Sequence, residues 1–130
     1  IFITKMIQGE SLRINGDGEQ TRDFVYVGDV VKANLLASEK VDSGFSIFNV
    51  GTGIESNLLQ LVDHLQNVYK ERIPSGPVIE VAHGPALPGE QRRSVVDTAK
   101  IKSAFGWDAA VSFGEGLDLT FKSFNEVIGS

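Results

Sequence analysis

The sequence predicts a mixed α/β fold in which short strands alternate with helices. Three features indicate this fold: short runs of β-branched and aromatic residues, apolar residues at helical spacing between those runs, and Gly or Pro at the junctions. Such an alternation is typical of a sheet that is covered by helices. Residues 1–130 show no internal repeat and no linker, so we predict a single domain.

The first elements are predicted from glycine positions and strand propensity. Residues 3–8 carry the end of a helix that Gly9 closes. Residues 11–15 are extended, and a glycine-rich turn follows at 16–18. The run DFVYV at 23–27 is predicted to be a strand, because β-branched and aromatic residues favour that conformation.

A helix and another strand are predicted next. Asp29 should cap a helix over 30–38, since its carboxylate can accept from the free backbone N–H groups of the first turn. The run FSIFNVG at 45–51 is predicted to be a strand.

The following helix is predicted from an apolar stripe that should face the core. Its members recur at helical spacing: Leu58, Val62, Leu65 and Tyr69. The segment RIPSGP at 72–77 breaks this helix. The run VIEVA at 78–82 is then predicted to be a strand.

Two helices are predicted to end the chain. Asp97 can cap a helix that continues to Phe105 and ends at Gly106. Ser112, with Glu115 three residues later, forms a capping-box pattern that opens the last helix. One face of that helix is apolar: Phe113, Leu117, Phe121 and Phe124.

Composition excludes several classes of function. With 42% hydrophobic residues and no apolar run near the roughly 20 residues that span a bilayer, we expect a soluble protein. The formal net charge of −5 argues against nonspecific binding to nucleic acid or anionic membranes. The lack of cysteine removes disulfides and Zn–thiolate sites, and it is compatible with a cytoplasmic protein. The two histidines leave little scope for a metal site. The chain opens without an initiator Met, inside a predicted element, so we expect a fragment of a longer protein.

Two known motifs, one for dinucleotide binding and one for catalysis, match this sequence poorly. GTGIES at 51–56 lies between a strand and a helix, where backbone N–H groups could hold a phosphate, but Ser56 replaces the third glycine of a dinucleotide fingerprint. A plain strand-to-helix turn is the favoured interpretation, with phosphate binding as the alternative. A Tyr-x-x-x-Lys pair is absent, because neither Tyr26 nor Tyr69 has a lysine four positions later. We therefore predict no catalytic residue in this chain.

Basic residues are concentrated in two loops. Arg22 follows a glycine-rich loop, and Arg92 and Arg93 follow a loop rich in proline and glycine. The planar guanidinium fork binds a diphosphate through bidentate hydrogen bonds and keeps its charge. The alternative, which composition alone favours, is that each arginine pairs with a nearby acid, the neighbours being Asp23 or Asp29 for Arg22 and Asp97 for Arg93.

Four segments in order resemble the C-terminal half of the extended short-chain dehydrogenase/reductase family, the NAD-dependent nucleotide-sugar epimerases and dehydratases. They are INGDGEQTRDFVYVGDVVKANLLA, FNVGTG, PGEQRRSVVDTAKIKSAFGW and FGEGLDLTF. The first segment looks most like the UDP-N-acetylhexosamine 4-epimerase branch. It has Asn15 where many members carry an aromatic residue, and Asn15 could not stack on the base as that ring would.

The resemblance implies a set of substrate-binding residues. Arg22 corresponds to the arginine that contacts the nucleotide diphosphate. The loop PGEQRRS corresponds to Arg-x-Gly-Asp, with Glu90 at the position of the acid that binds the ribose hydroxyls. The arginine of that motif is replaced by Leu87, so Arg92 or Arg93 would have to complete the clamp on the diphosphate.

The implied function is the nucleotide-sugar-binding half of an NAD-dependent UDP-sugar 4-epimerase. The reaction oxidises the sugar at C4 by hydride transfer to NAD, rotates the 4-keto intermediate, and returns the hydride to the other face. In the family, the glycine-rich NAD loop and the catalytic tyrosine and lysine lie in the N-terminal half. We therefore expect NAD to be bound by that half, and the isolated chain to be inactive without a cofactor of its own.

Two alternatives remain at this point. The chain could instead belong to an NDP-sugar 4,6-dehydratase, which shares this half, or be a non-catalytic binding or assembly module. The expected partner is a UDP-sugar or another NDP-sugar, and neither nucleic acid nor membrane is expected. By the same resemblance, the FNVG end of residues 45–51 should be an orphan strand of a sheet whose other strands lie outside the chain. Its unpaired edge predicts homodimerisation or strand exchange of the fragment.

Overall fold

The computed structural model describes residues 1–40 and 43–129. In this part of the chain, helices and short strands alternate, which confirms the predicted α/β class. The helices are α1 (Phe2–Ile7), α2 (Val27–Lys40), α3 (Leu58–Arg72), α4 (Ala99–Phe105) and α5 (Phe113–Ile128). The strands are β1 (Leu12–Asn15), β2 (Thr21–Arg22), β3 (Ser56–Asn57) and β4 (Val81–Gly84). None of the described helices has the length and apolar character needed to cross a membrane.

Two small ladders connect distant parts of the chain. β1 pairs with β4 in parallel, from Leu12 opposite Val81 to Asn15 opposite Gly84. β2 pairs with β3 in antiparallel orientation, with Thr21 opposite Asn57. The Thr21 N–H also donates to the carbonyl of Arg92 at 2.8 Å. These pairings bring the loop after β4 against the loop between β1 and β2.

The larger core lies between α1, α3, α5 and the β1–β4 pair. Its buried side chains come from all of these elements and from Ile79: Met6, Leu12, Ile14, Val62, Leu65, Tyr69, Ile79 and Phe121. The predicted stripe on α3 is confirmed, since Val62, Leu65 and Tyr69 are buried. The rings of Tyr69 and Phe121 meet edge to face with centroids 6.4 Å apart. Burial of this face accounts for α3 and α5, because amphipathic helices gain most of their stability from packing.

A second, smaller core fixes α2 against α4. It contains Ala33, Ile101 and Trp107. The Trp107 Nε1–H donates to the carbonyl oxygen of Asp29 at 3.0 Å, and the Val111 N–H donates to Asp29 Oδ2 at 3.0 Å. Asp29 is therefore a buried link between α2 and the segment that precedes α5.

The structure corrects the predictions for residues 23–38. Residues 23–27 do not form a strand, and α2 already begins at Val27. The aromatic residues of this segment pack on α5 instead: Phe24 stacks on Phe113 with centroids 5.5 Å apart, and Tyr26 lies against Gly116. Asp29 is not the cap, because it lies inside the first turn with its carboxylate turned to Val111.

The strand predicted at 45–51 is also absent, since these residues join no ladder in the described part of the chain. Their side chains nevertheless alternate. Phe48 and Val50 pack on the smaller core, whereas Phe45 and Ile47 are 86% and 64% exposed. A strand requires a hydrogen-bonded neighbour, and the described residues offer none here.

The remaining boundaries are close to the predictions. β4 covers 81–84 rather than 78–82. Gly106, at φ +68°, ends α4 as expected, while the residue at its N-cap is Thr98 and the Asp97 carboxylate accepts from the Ala99 N–H at 2.9 Å. The Ser112 hydroxyl accepts from the Glu115 N–H at 3.3 Å and caps α5. α1 ends at Ile7, just before Gly9, as predicted.

Candidate functional site

Gln20 connects the loop between β1 and β2 to the loop after β4. Its side chain is buried, and its Nε2 donates to the Asn15 carbonyl at 3.1 Å and to Glu90 Oε1 at 3.4 Å. Because both partners are acceptors, the amide nitrogen must face them. Gln20 therefore holds Asn15 and Glu90, which are far apart in sequence, at one place.

Arg22 is held at the same place by three acceptors. Its Nη1 donates to the carbonyls of Thr21 and Gln91, at 2.6 and 2.8 Å, and its Nη2 donates to Glu90 Oε1 at 3.3 Å. The Arg22 and Glu90 side chains are 30% and 28% exposed. Partial burial and several hydrogen bonds fix this cation more firmly than a surface ion pair would.

Asp23 anchors the chain next to Arg22. Its carboxylate accepts from the Thr52 N–H at 2.9 Å, from the Thr52 hydroxyl at 2.6 Å and from the Gly53 N–H at 2.8 Å. Partial burial raises the pKa of Asp23, but these hydrogen bonds outweigh it, so that the net pKa lies below its usual value. Asp23 therefore stays charged and ties the start of the GTGIES segment to Arg22.

Arg92 and Arg93 are each paired with an acid of their own. Arg92 makes two hydrogen bonds to the Asp17 carboxylate, at 3.0 and 3.1 Å, and Arg93 makes two to Glu55, both at 3.0 Å. The hydrogen bond from Arg92 lowers the pKa of Asp17, and that from Arg93 lowers the pKa of Glu55. Both arginine side chains are mostly exposed.

A cleft of about 540 Å³ opens beside β1, and we call it the β1 cleft. Polar residues form one part of its wall: Arg13, Asn15, Gln20 and Glu90. Apolar residues form the rest: Ile1, Phe2, Ile3, Phe24, Leu58, Leu61, Leu65 and Leu117. A concave, largely apolar surface with a few convergent polar groups is the usual form of a small-molecule site. Leu87 and Arg92 line a separate cavity of about 50 Å³, which shares Asn15, Gln20 and Glu90 with the β1 cleft.

The structure brings together three of the five predicted site residues. Asn15, Arg22 and Glu90 share the Gln20 network, whereas Arg92 and Arg93 point to Asp17 and Glu55. The alternative prediction, that each arginine pairs with an acid nearby in the sequence, gave the wrong partners. Arg22 pairs with Glu90, and Arg93 pairs with Glu55. Sequence reasoning missed Gln20, because only the tertiary contact with the loop after β4 buries it.

The GTGIES segment is held by contacts within the chain. Its Thr52 and Gly53 N–H groups donate to Asp23. The helix that follows is capped by Asn57 and Gln60, each of which accepts from the backbone N–H of the other at 2.8 Å. These contacts agree with an ordinary turn that leads into a helix.

Comparison with known proteins identifies relatives. The NAD dependent epimerase/dehydratase family matches residues 1–51. The UDP-glucose 4-epimerase of Mycolicibacterium smegmatis is 36% identical over 124 residues, which are 95% of this chain and 37% of that protein. The dTDP-glucose 4,6-dehydratase of Haemophilus influenzae is 30% identical over 128 residues, 94% of this chain and 38% of that protein.

Comparison with a solved structure shows the same similarity. The crystal structure of UDP-glucose 4-epimerase from Thermotoga maritima, with UDP-glucose, is 41% identical and superposes with a TM-score of 0.80. The match covers 98% of this chain and 38% of that one. The chain thus spans little more than a third of the length of these relatives. In sequence and in fold, the chain is similar to members of the NAD-dependent epimerase/dehydratase family.

Proposed function

We propose that this chain is the nucleotide-sugar-binding C-terminal part, residues 1–130, of an NAD-dependent UDP-sugar 4-epimerase. The observation that carries the proposal is the fixed Arg22–Glu90 pair, which Gln20 connects to the wall of the β1 cleft. The similarity to two UDP-glucose 4-epimerases supports the choice of reaction.

In this proposal, Arg22 binds the diphosphate of the nucleotide sugar. A guanidinium has five N–H groups, and three hydrogen bonds to Thr21, Gln91 and Glu90 leave others for phosphate oxygens. Because those bonds already orient the group, little side-chain entropy is lost when the ligand binds. Arg22 is thus a preorganised anion site in a chain of net negative charge.

Glu90 binds the ribose hydroxyls in the same proposal. Its Oε1 accepts from Arg22 and Gln20, which leaves Oε2 as an acceptor for a hydroxyl. Arg92 and Arg93 would first have to leave Asp17 and Glu55 before either could add to the clamp. We therefore assign the diphosphate contact to Arg22. Arg92 and Arg93 do not contact the diphosphate in this proposal.

We assign no NAD site to the described residues. The glycine turn that comes closest to a dinucleotide loop has its Thr52 and Gly53 N–H groups engaged by Asp23, and α3 is capped by its own residues. We therefore assign NAD, and with it the chemistry at C4, to a part of the protein outside this chain. The residues described here bind and orient the nucleotide that anchors the sugar.

A 4,6-dehydratase is the second candidate, and the relative from Haemophilus influenzae favours it. A non-catalytic binding module is the third. An adjoining reading frame that encodes a glycine-rich βαβ unit and a Tyr-x-x-x-Lys pair would favour an enzyme over a module. The products formed from UDP-glucose and dTDP-glucose by the complete protein would then distinguish the epimerase from the dehydratase.

Calorimetric titration with UDP, UDP-N-acetylglucosamine and dTDP tests the proposal. We expect binding of UDP that Arg22→Ala weakens at least tenfold, because a charge-assisted hydrogen bond contributes about 1.5–3 kcal/mol. Arg72→Ala is the charge-matched control, since Arg72 pairs with Asp118 away from the β1 cleft. Equal binding by the Arg22→Ala variant, or no binding of any nucleotide, would contradict the proposal.

A further inference from the structure

Arg13 lies on the face of β1 that points away from the core. Successive residues of a strand alternate between its two faces, so Arg13 and Asn15 share one face while Leu12 and Ile14 are buried on the other. In the parallel ladder, Arg13 is opposite Ala82 and Asn15 is opposite Gly84. Both Arg13 and Asn15 line the β1 cleft.

The guanidinium of Arg13 lies against Gly84. A Cβ built on Gly84 would be 2.7 Å from Arg13 Cζ and closer still to Nε and Nη2. Three atoms of the planar group therefore occupy the space that a side chain on β4 would need. The missing side chain of Gly84 creates the seat on which the guanidinium lies.

Arg13 also differs from the other arginines in its partners. Within the described residues, which include all five arginines, four pair with a carboxylate: Arg22 with Glu90, Arg72 with Asp118, Arg92 with Asp17 and Arg93 with Glu55. Arg13 forms no such pair there and makes no side-chain hydrogen bond to a described residue. Its N–H groups and its charge remain available for a ligand in the β1 cleft.

The order of groups along the site indicates which part of a ligand Arg13 would meet. The guanidinium of Arg13 lies against Gly84, which is opposite Asn15 in the ladder. Gln20 joins Asn15 to Glu90, and Glu90 joins Arg22. The contacts therefore form one series, with Arg13 at one end, Arg22 at the other and Glu90 next to Arg22.

This inference rests on the proposed function. If Arg22 binds the diphosphate and Glu90 the ribose, the base must lie on the far side of the ribose, toward Arg13. We propose that Arg13 is a further substrate-binding residue and that it binds the nucleobase. Its guanidinium, supported on Gly84, stacks on the flat ring of the base.

The test compares UDP with 5,6-dihydro-UDP by calorimetry of the full 130-residue chain. Both ligands carry the same diphosphate, ribose and carbonyl groups, but the saturated ring of the second is not aromatic. We expect Arg13→Ala to weaken UDP binding about tenfold, within the range measured for stacking on a base, and dihydro-UDP binding by about twofold. Arg13→Lys should not restore UDP binding, because an ammonium has no plane to stack.

Gly84→Ala gives an independent variant that keeps Arg13. The added methyl group would displace the guanidinium, which is the flexible end of a side chain, so the fold should persist. We expect it to reduce UDP binding more than dihydro-UDP binding, as Arg13→Ala does. Arg72→Ala, which removes a distant guanidinium, should leave both affinities unchanged.

The outcomes separate this inference from the proposed function. If UDP binds and Arg22→Ala abolishes binding, but Arg13→Ala weakens both ligands equally or neither, the proposed function stands and the base-binding role of Arg13 is wrong. If the chain binds neither ligand, both are wrong. A selective loss of UDP affinity in both the Arg13→Ala and the Gly84→Ala variants supports the role.

Discussion

Arg22 Nη2 lies 3.3 Å from Glu90 Oε1, although 68 residues separate the two side chains in the sequence. Two further contacts make the same connection, from Arg22 to the Gln91 carbonyl and from the Thr21 N–H to the Arg92 carbonyl. The loop after β4 is therefore fastened to β2 at several points. This fastening places a fixed cation beside Glu90, an acid that lines the β1 cleft.

The Arg22–Glu90 pair should couple two loops without dominating stability. In a double-mutant cycle of Arg22→Ala and Glu90→Ala, we expect a coupling energy of about 0.2–1 kcal/mol, the range of partly exposed ion pairs. Urea unfolding of the four proteins measures it. Strictly additive effects would show that the pair does not hold the loops together.

Removal of the Asp29 carboxylate should destabilise the fold. Asp29→Ala leaves the partly buried Val111 N–H without its acceptor, and loss of such a bond costs up to about 1–3 kcal/mol. Urea unfolding measures the change. Asp63→Ala, at an exposed aspartate of α3, is the control and should change the free energy of unfolding by less than about 0.5 kcal/mol. Equal effects of the two substitutions would be inconsistent with a linking role for Asp29.

Phe121 should contribute much of the stability that the larger core provides. It is completely buried between α5 and its neighbours, so we expect Phe121→Ala to cost about 3–5 kcal/mol in the free energy of unfolding. Phe124→Ala removes the same ring from the same helix, where it is 43% exposed, and should cost much less. Thermal or urea unfolding compares the two, and similar losses would refute this assignment of the core.

Stability should fall at acid pH partly through Asp23. The pKa of Asp23 is lower in the folded chain than its usual value of 3.8, so its charged form stabilises the fold above that value. This contribution is lost as the pH falls through the lower, folded pKa. Urea unfolding from about pH 5 to about pH 2 should therefore show a shallower loss of stability for Asp23→Asn than for the unmodified chain. Identical pH profiles would show that the Thr52 and Gly53 contacts do not stabilise the carboxylate.

The isolated chain should self-associate. On α2, Val27, Val31 and Leu35 recur every four residues and are half to two-thirds exposed, and Ile47 is also exposed nearby in sequence. We expect concentration-dependent dimers in solution scattering, and we expect Val31→Lys with Leu35→Lys to reduce them. A monomeric particle at every concentration would contradict this prediction and the predicted homodimer with it.

Local sequence patterns were sufficient to predict the helices that have one apolar face. The spacing of Leu58, Val62, Leu65 and Tyr69 predicted α3, and Ser112 and Gly106 correctly marked one helix start and one helix end. The resemblance of ordered segments to this family is confirmed by the comparison with known proteins. These signals depend on residues within a few positions of each other, so the sequence can show them directly.

Only the tertiary structure decided which groups meet at the site. Neither the partner of Arg22, nor the burial of Gln20 and Asp29, nor the seat of Arg13 on Gly84 follows from neighbouring residues. The same holds for 23–27 and 45–51, whose β-branched and aromatic residues favour strands but pack on helices or remain without a ladder. Strands and polar networks require partners from distant parts of the chain, and the fold alone determines which partners are present.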